Sequence, residues 1–126
     1  MPNLLLALIA HDGKKERLVA FAQSHREALS RYRLIGTGTT GALVAGATGL
    51  EVEQMRSGPR GGDVQIAARI LAEPFAAVFF FVEPMDVHPH DPDIQTLLRT
   101  CNLSNVPLAT NPATADLLMR ALAAGG

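Results

Sequence analysis

The sequence predicts an α/β fold: a single Rossmann-like three-layer domain, residues 1–126, with a five-stranded parallel sheet and helices on both faces. Two apolar runs, Leu4-Leu5-Leu6-Ala7-Leu8-Ile9-Ala10 and Ala76-Ala77-Val78-Phe79-Phe80-Phe81-Val82, are continuous rather than alternating, the pattern of strands covered on both sides. Between and after them, stretches of helical period separate shorter strand-like segments. Such spacing demands parallel crossovers, whose handedness puts helices on both faces. With 126 residues, 48% of them apolar, the chain can build one core and has no room for a second domain of ordinary size.

In chain order, residues 4–10 read as the first strand. Residues 14–30 follow as a helix with Leu18, Phe21, Ala22 and Leu29 on its inner side. Residues 32–36 form a second strand and 39–47 a helix under a threonine cap. Residues 51–56 form a third strand, whose charges put it near an edge. The helix over 62–73 carries Ile66, Ile70 and Leu71, and the run at 76–82 is a central strand closed by Glu83-Pro84. A helix over 93–103, a short strand over 106–109 and a helix over 113–123 complete the chain. The last helix starts at Asn111-Pro112 and stops at Gly125-Gly126.

Eleven Lys and Arg against twelve Asp and Glu leave a formal charge of −1, with the basic residues scattered. That argues against a nucleic-acid partner, which needs a basic stripe to follow the phosphate backbone. Cys101, the single cysteine, stands beside Leu97, Leu98 and Leu103, and reads as a buried thiol in a reducing compartment. Met1-Pro2-Asn3 brings no positive charge ahead of the first apolar run, which is too short to span a membrane. A cytoplasmic protein is expected, with no membrane partner.

The polar loops carry the chemistry. Ser57-Gly58-Pro59-Arg60-Gly61-Gly62-Asp63 combines three glycines and a proline, which expose backbone N–H groups to an anion and deliver a carboxylate at a helix start. Gly36-Thr37-Gly38-Thr39-Thr40-Gly41 offers amides, hydroxyls and a helix N-terminus to a phosphate, but has neither the spacing of a dinucleotide fingerprint nor the ending of a P-loop. His11 and Asp12 stand at the carboxyl end of the first strand, and Lys15, favoured over Lys14, can reach an anion held by the next loop. In an open parallel sheet these loops converge on one side. The run from Glu83 to Asp93 is dense in ionisable groups and stiffened by prolines, with His88, His90, Asp91 and Asp93 among them. It lacks the helical or loop spacing of a metal site. Asp91, more than Asp93, reads equally well as the cap of the following helix. His25 reads as a structural or surface residue.

Taken together, Ala10-His11-Asp12 with Lys15, the Gly36–Gly41 turn, the Ser57–Asp63 loop, Pro89-His90-Asp91-Pro92-Asp93, and Ala109-Thr110-Asn111 with Ala113-Thr114-Ala115-Asp116 resemble the methylglyoxal synthase family in order and separation. The likeness covers nearly the whole chain from about Leu4. The loop and PHDPD motifs occur together, whereas regulatory domains of carbamoyl-phosphate synthetase and the IMP cyclohydrolase domain share mainly the fold and the phosphate turn. The resemblance implies a lyase that converts dihydroxyacetone phosphate to methylglyoxal and inorganic phosphate with no cofactor and no metal, in a homohexamer. It implies that Lys15, Thr37, Gly38, Thr39, Thr40, Ser57 and Gly58 hold phosphate and that Asp63 takes a proton from C3. It further implies that His11, His90 and Asp93 polarise the carbonyl and handle protons on the enediol, and that Asp12 supports the site.

Two departures bear on this. Glu83 stands where members commonly have Asp, and a supporting carboxylate is expected there. The chain ends at Gly126, short of a C-terminal strand and helix bearing an arginine associated with subunit communication, so inhibition by phosphate is expected to be simple competition. The rival from another class is a phosphate-sensing regulatory domain of the same fold, which needs the phosphate turn but not an aligned Asp63, His90 and Asp93. Triose-phosphate isomerisation would share the substrate, but the chain is too short for the eight-stranded barrel.

Overall fold

The computed structural model describes residues 4–56, 61–85, 87–89 and 91–125. Ser57, Gly58 and His90, three of the expected site residues, lie outside the described residues. Five parallel strands form one sheet in the order β3-β2-β1-β4-β5. They are β1 Leu5–Ala10, β2 Arg33–Thr37, β3 Val52–Met55, β4 Phe75–Phe81 and β5 Leu108–Ala109. The expected fold class is therefore present. β3 is an edge strand, as its charges suggested. β4 lies inside the sheet, one strand from the opposite edge, and β1 is the middle strand.

The alternation of side chains across the pleat divides the core in two. Leu6, Leu8 and Ala10 of β1, with Phe79 and Phe81 of β4, pack beneath α1 (Lys15–Ser24), α2 (Arg26–Leu29), α3 (Gly38–Thr48) and α6 (Pro112–Gly125). Leu5, Ala7 and Ile9, with Val78 and Phe80, pack beneath α4 (Gly62–Ala72) and α5 (Ile94–Ser104). The residues of β1 are all buried, which is why its sequence shows no alternation.

The helix expected over residues 14–30 is divided. A 3-10 turn, Asp12–Lys14, leads into α1, and the chain leaves helical geometry at His25 (φ −112°, ψ 24°) before α2. Ala22 and Leu29 are seven residues apart, two helical turns, so the apolar period runs through the break unaltered. His25 is held there by Asp116 of α6, 2.8 Å from its Nε2, and by the ring of Phe21, 4.9 Å between centroids. Among the described residues no helix is long and apolar enough to cross a membrane.

Candidate active site

The loops that follow β1 and β4 separate at the point where the strand order reverses, with β2 and β3 on one side of β1 and β4 and β5 on the other. Ligands of open α/β sheets bind at such a point, beyond the carboxyl ends of the strands. His11 sits there, directly after β1, buried with its ring edge-on to Phe80 at 5.2 Å. Its Nδ1 accepts the Glu83 N–H at 3.0 Å, which assigns the ring proton to Nε2, and Nε2 donates to the Pro92 carbonyl at 3.1 Å. Both nitrogens are thus engaged by backbone of the loop between β4 and α5.

The neighbouring Asp12 ties three elements together. Its Oδ1 is 2.8 Å from the Lys15 ammonium at the start of α1, and its Oδ2 is 3.2 Å from His88 Nδ1. Its own N–H donates to Asp91 Oδ1 at 2.9 Å. Glu83 accepts the Met85 N–H through Oε2 at 2.9 Å and faces Lys14 at 3.9 Å. A carboxylate survives at this position, and the longer glutamate arm turns back on its own loop. Among the described residues no group of three or more His, Cys, Asp and Glu side chains is gathered as metal ligands.

Asp63 enters from the opposite side, in the first turn of α4, and is 8% exposed. Two glycines put it there. Gly61 adopts φ +85°, a left-handed conformation that side chains resist. Gly62 packs so closely that an added Cβ would stand 1.9 Å from the Arg56 carbonyl oxygen and 3.1 Å from the Thr37 methyl. The carboxylate is thereby locked beside the β2–α3 turn. Its Oδ2 accepts the Asp93 N–H at 3.0 Å. The Asp93 side chain caps α5, accepting from Gln95 N–H at 2.9 Å and from the Thr96 hydroxyl at 3.2 Å. Asp93, not Asp91, is the helix cap: Asp91 accepts from the Asp12 and His88 amides instead.

Thr37 occupies the N-cap position of α3 without capping it through its side chain, and the first turn of α3 contains no acidic residue. Thr39 is exposed, Gly38 half-buried, and Thr40 is 1% exposed with an Oγ1 that has no hydrogen-bond partner among the described residues. The Gly38 N–H donates to the Arg56 carbonyl at 3.4 Å, and the following amides, with the helix dipole and the buried hydroxyl, are the kinds of group that favour an anion. Gly36 allows β1 and the first turn of α3 to pack closely, because a Cβ there would meet the Leu8 carbonyl oxygen at 2.9 Å and the Gly41 backbone at 3.2 Å.

The profile of the MGS-like domain family matches residues 17–110. The chain belongs to the methylglyoxal synthase family. The methylglyoxal synthase of Thermus thermophilus is 53% identical over 114 residues, 90% of each chain. That of Carboxydothermus hydrogenoformans is 50% identical over 117 residues, 93% of this chain and 97% of the relative. The crystal structure of methylglyoxal synthase from Elizabethkingia anophelis superposes with a TM-score of 0.88 at 42% identity, covering 93% of this chain and 77% of the other.

In this member of the family, three groups are brought side by side by the chain neighbours 11–12 and 91–93: His11 with the Glu83 N–H and the Pro92 carbonyl, Asp12 with Lys15, His88 and Asp91, and Asp63 with the Asp93 N–H. Thr37 lies beside the start of α4, its methyl 3.1 Å from where a Cβ on Gly62 would stand. Asp91 and His88 are members that sequence reasoning did not assign. A turn carboxylate and a partly exposed histidine carry no local signal of partners 79 and 76 residues away.

Proposed function

We propose that this chain is a carbon–oxygen lyase that converts dihydroxyacetone phosphate to methylglyoxal and inorganic phosphate. The observation that carries the reading is the Asp63 carboxylate. It is nearly buried, anchored through one oxygen by the Asp93 N–H, and fixed by Gly62 against the turn that bears the Thr40 hydroxyl, which has no partner among the described residues. A base beside an anion cradle suits a substrate whose acidic C–H lies two carbons from a phosphate ester.

In the proposed reaction the phosphate binds at the α3 N-terminus, held by Thr37, Gly38, Thr39 and Thr40 with Lys15, Ser57 and Gly58. Asp63 removes a proton from C3, and the electron pair moves into the C2 carbonyl to give an enediolate. His90 polarises that oxygen; donors aimed at developing charge are the largest source of rate in such steps. The enediol then collapses, the C1–O bond to phosphate breaks, and the resulting enol takes a proton at C1 to become the methyl group. Alignment of the C–O bond across the enediol plane favours elimination. His11 and Asp93 contribute by holding, the former through its two backbone bonds and the latter through the amide on Asp63. Asp12 and Glu83 support the neighbouring loops.

The residues 1–126 serve as one functional unit in the cytoplasm, assembling as a homo-oligomer, a hexamer by family resemblance, with no cofactor or metal. The exposed Leu98 and Leu103 on the outer face of α5 suit a subunit contact. Incubation with dihydroxyacetone phosphate in metal-free buffer, following methylglyoxal and phosphate together, tests the reading. Equal release of both is expected. Binding without turnover would move the chain to the phosphate-sensing class.

A further inference from the structure

Three consecutive residues of the loop between β4 and α5 each bind a different part of the site. The Asp91 side chain accepts from the Asp12 amide, the Pro92 carbonyl accepts from the His11 ring, and the Asp93 amide donates to Asp63. The second and third of these contacts are made by backbone and depend on where the loop lies. The first is made by a side chain that can be changed.

We propose that Asp91 is a positioning residue for the lyase reaction, a two-point clamp that fixes the strip 91–93 against the end of β1 and so aligns Asp63 and His11. Oδ1 accepts the Asp12 N–H at 2.9 Å across 79 residues of sequence, and Oδ2 accepts the His88 N–H at 2.9 Å within its own loop. The Asp91 N–H donates to the His88 carbonyl at 3.0 Å, which closes the turn so that the carboxylate is presented rather than free to rotate away. Bonds from amides to an ionised acceptor are short and about twice as strong as neutral ones. Pro89 and Pro92 restrict the same turn. The clamp thus converts one carboxylate into the placement of two groups that it does not touch.

The inference rests on the lyase reading, and one measurement keeps the two separable. Asp91→Asn is nearly isosteric but exchanges one acceptor for an NH2 group facing an N–H; Asp91→Ala removes both acceptors; Asp91→Glu keeps the charge but displaces it by a methylene. We expect kcat for dihydroxyacetone phosphate to fall roughly tenfold in Asp91→Asn and roughly a hundredfold in Asp91→Ala, the scale of a misplacement of about 1 Å. Asp91→Glu should not restore it, while KM and the affinity for inorganic phosphate should stay within about threefold. Amide hydrogen exchange read by NMR should show protection lost at both Asp12 and His88 in Asp91→Ala, and at one of the two in Asp91→Asn, whether or not the parent turns over. Unchanged protection at Asp12 in Asp91→Ala, a kcat within threefold of the parent in that variant, or full rescue by Glu would overturn the clamp. Absence of turnover in the parent would instead count against the lyase reading.

Discussion

Asp63 accepts one hydrogen bond through Oδ2, and an asparagine can make the same bond through its amide oxygen. Asp63→Asn should therefore fold normally and bind inorganic phosphate within about twofold of the parent, while losing the proposed proton-abstracting group. General bases contribute roughly 10²–10⁴ in rate, so kcat should fall by about a thousandfold, read by methylglyoxal release. Loss of phosphate binding with only a modest fall in rate would sink the assignment. Thr40 makes a second case. Its hydroxyl is buried and unpartnered among the described residues, so the free protein carries a desolvation cost that an anion can relieve. Thr40→Val should raise thermal stability or leave it unchanged, and should weaken phosphate binding about tenfold or more, the scale of a hydrogen bond to a charged group, measured by calorimetry. Both residues were legible because local composition marks them: a carboxylate ending a glycine loop and a hydroxyl at a helix start. Asp91 and Asp93 were not separable that way. Both precede the helix within three residues, and only the distant Asp12 amide decides which one caps.

The amino-terminal end of α4 is the element on which the site depends most. Gly62 has no space for a Cβ because the Arg56 carbonyl and the Thr37 side chain already occupy it. Gly62→Ala must push α4 away from the β2–α3 turn, at a cost of about 1–3 kcal/mol, and should lower kcat more than it raises the concentration of phosphate needed for inhibition. Equal stability and turnover to the parent would show that α4 shifts freely. The charged edge is a contrasting element. Arg69 of α4 binds both Glu73 and Glu53, and Arg33 lies 3.9 Å from Glu53 and 3.6 Å from Glu73, so a four-member ion-pair network joins β2, β3 and the end of α4. The hydrogen bond from Arg69, with the fields of Arg69 and Arg33, holds the Glu53 carboxyl below its usual 4.5 despite partial desolvation. A lowered folded value means that the contribution is present above pH 4.5 and fades as pH falls through the lowered value. Half-exposure keeps it small. Glu53→Gln should flatten the acid side of the stability profile and leave turnover unchanged. Sequence placed this strand at an edge because unpaired strands tolerate charge. It did not foresee the break at His25, since two helical turns of apolar spacing conceal an interruption at a residue whose partner, Asp116, is 91 residues away.

At the scale of the whole molecule, the sheet separates two apolar layers, and the order of the strands brings the site to one end of both. The layers were legible because continuous apolar runs can satisfy only a doubly covered sheet. The strand order was not, because crossover direction leaves no mark on composition. The layer beneath α4 and α5 contains the molecule's one thiol. Cys101 is 1% exposed among Leu5, Ile9, Ile66, Phe80 and their neighbours, and burial pushes its thiol up from 9.0 to about 11. Below pH 9 the thiol is protonated in the folded and unfolded chains alike, and its packing contribution is complete. Between pH 9 and about 11 the unfolded chain releases the proton while the folded chain retains it, so unfolding gains free energy with each step in pH. The folded pKa is raised, and the stability is accordingly lost as pH rises through it. Chemical denaturation from pH 7 to 10.5 should show midpoints that fall above pH 9. Cys101→Ala should start lower at pH 7, from the lost packing of one buried sulfur, and should decline less steeply over the alkaline range. Titrations elsewhere are common to both proteins and cancel in the difference. Parallel curves would mean that the thiol reaches solvent on the alkaline side, and that the layer beneath α5 opens before the sheet unfolds.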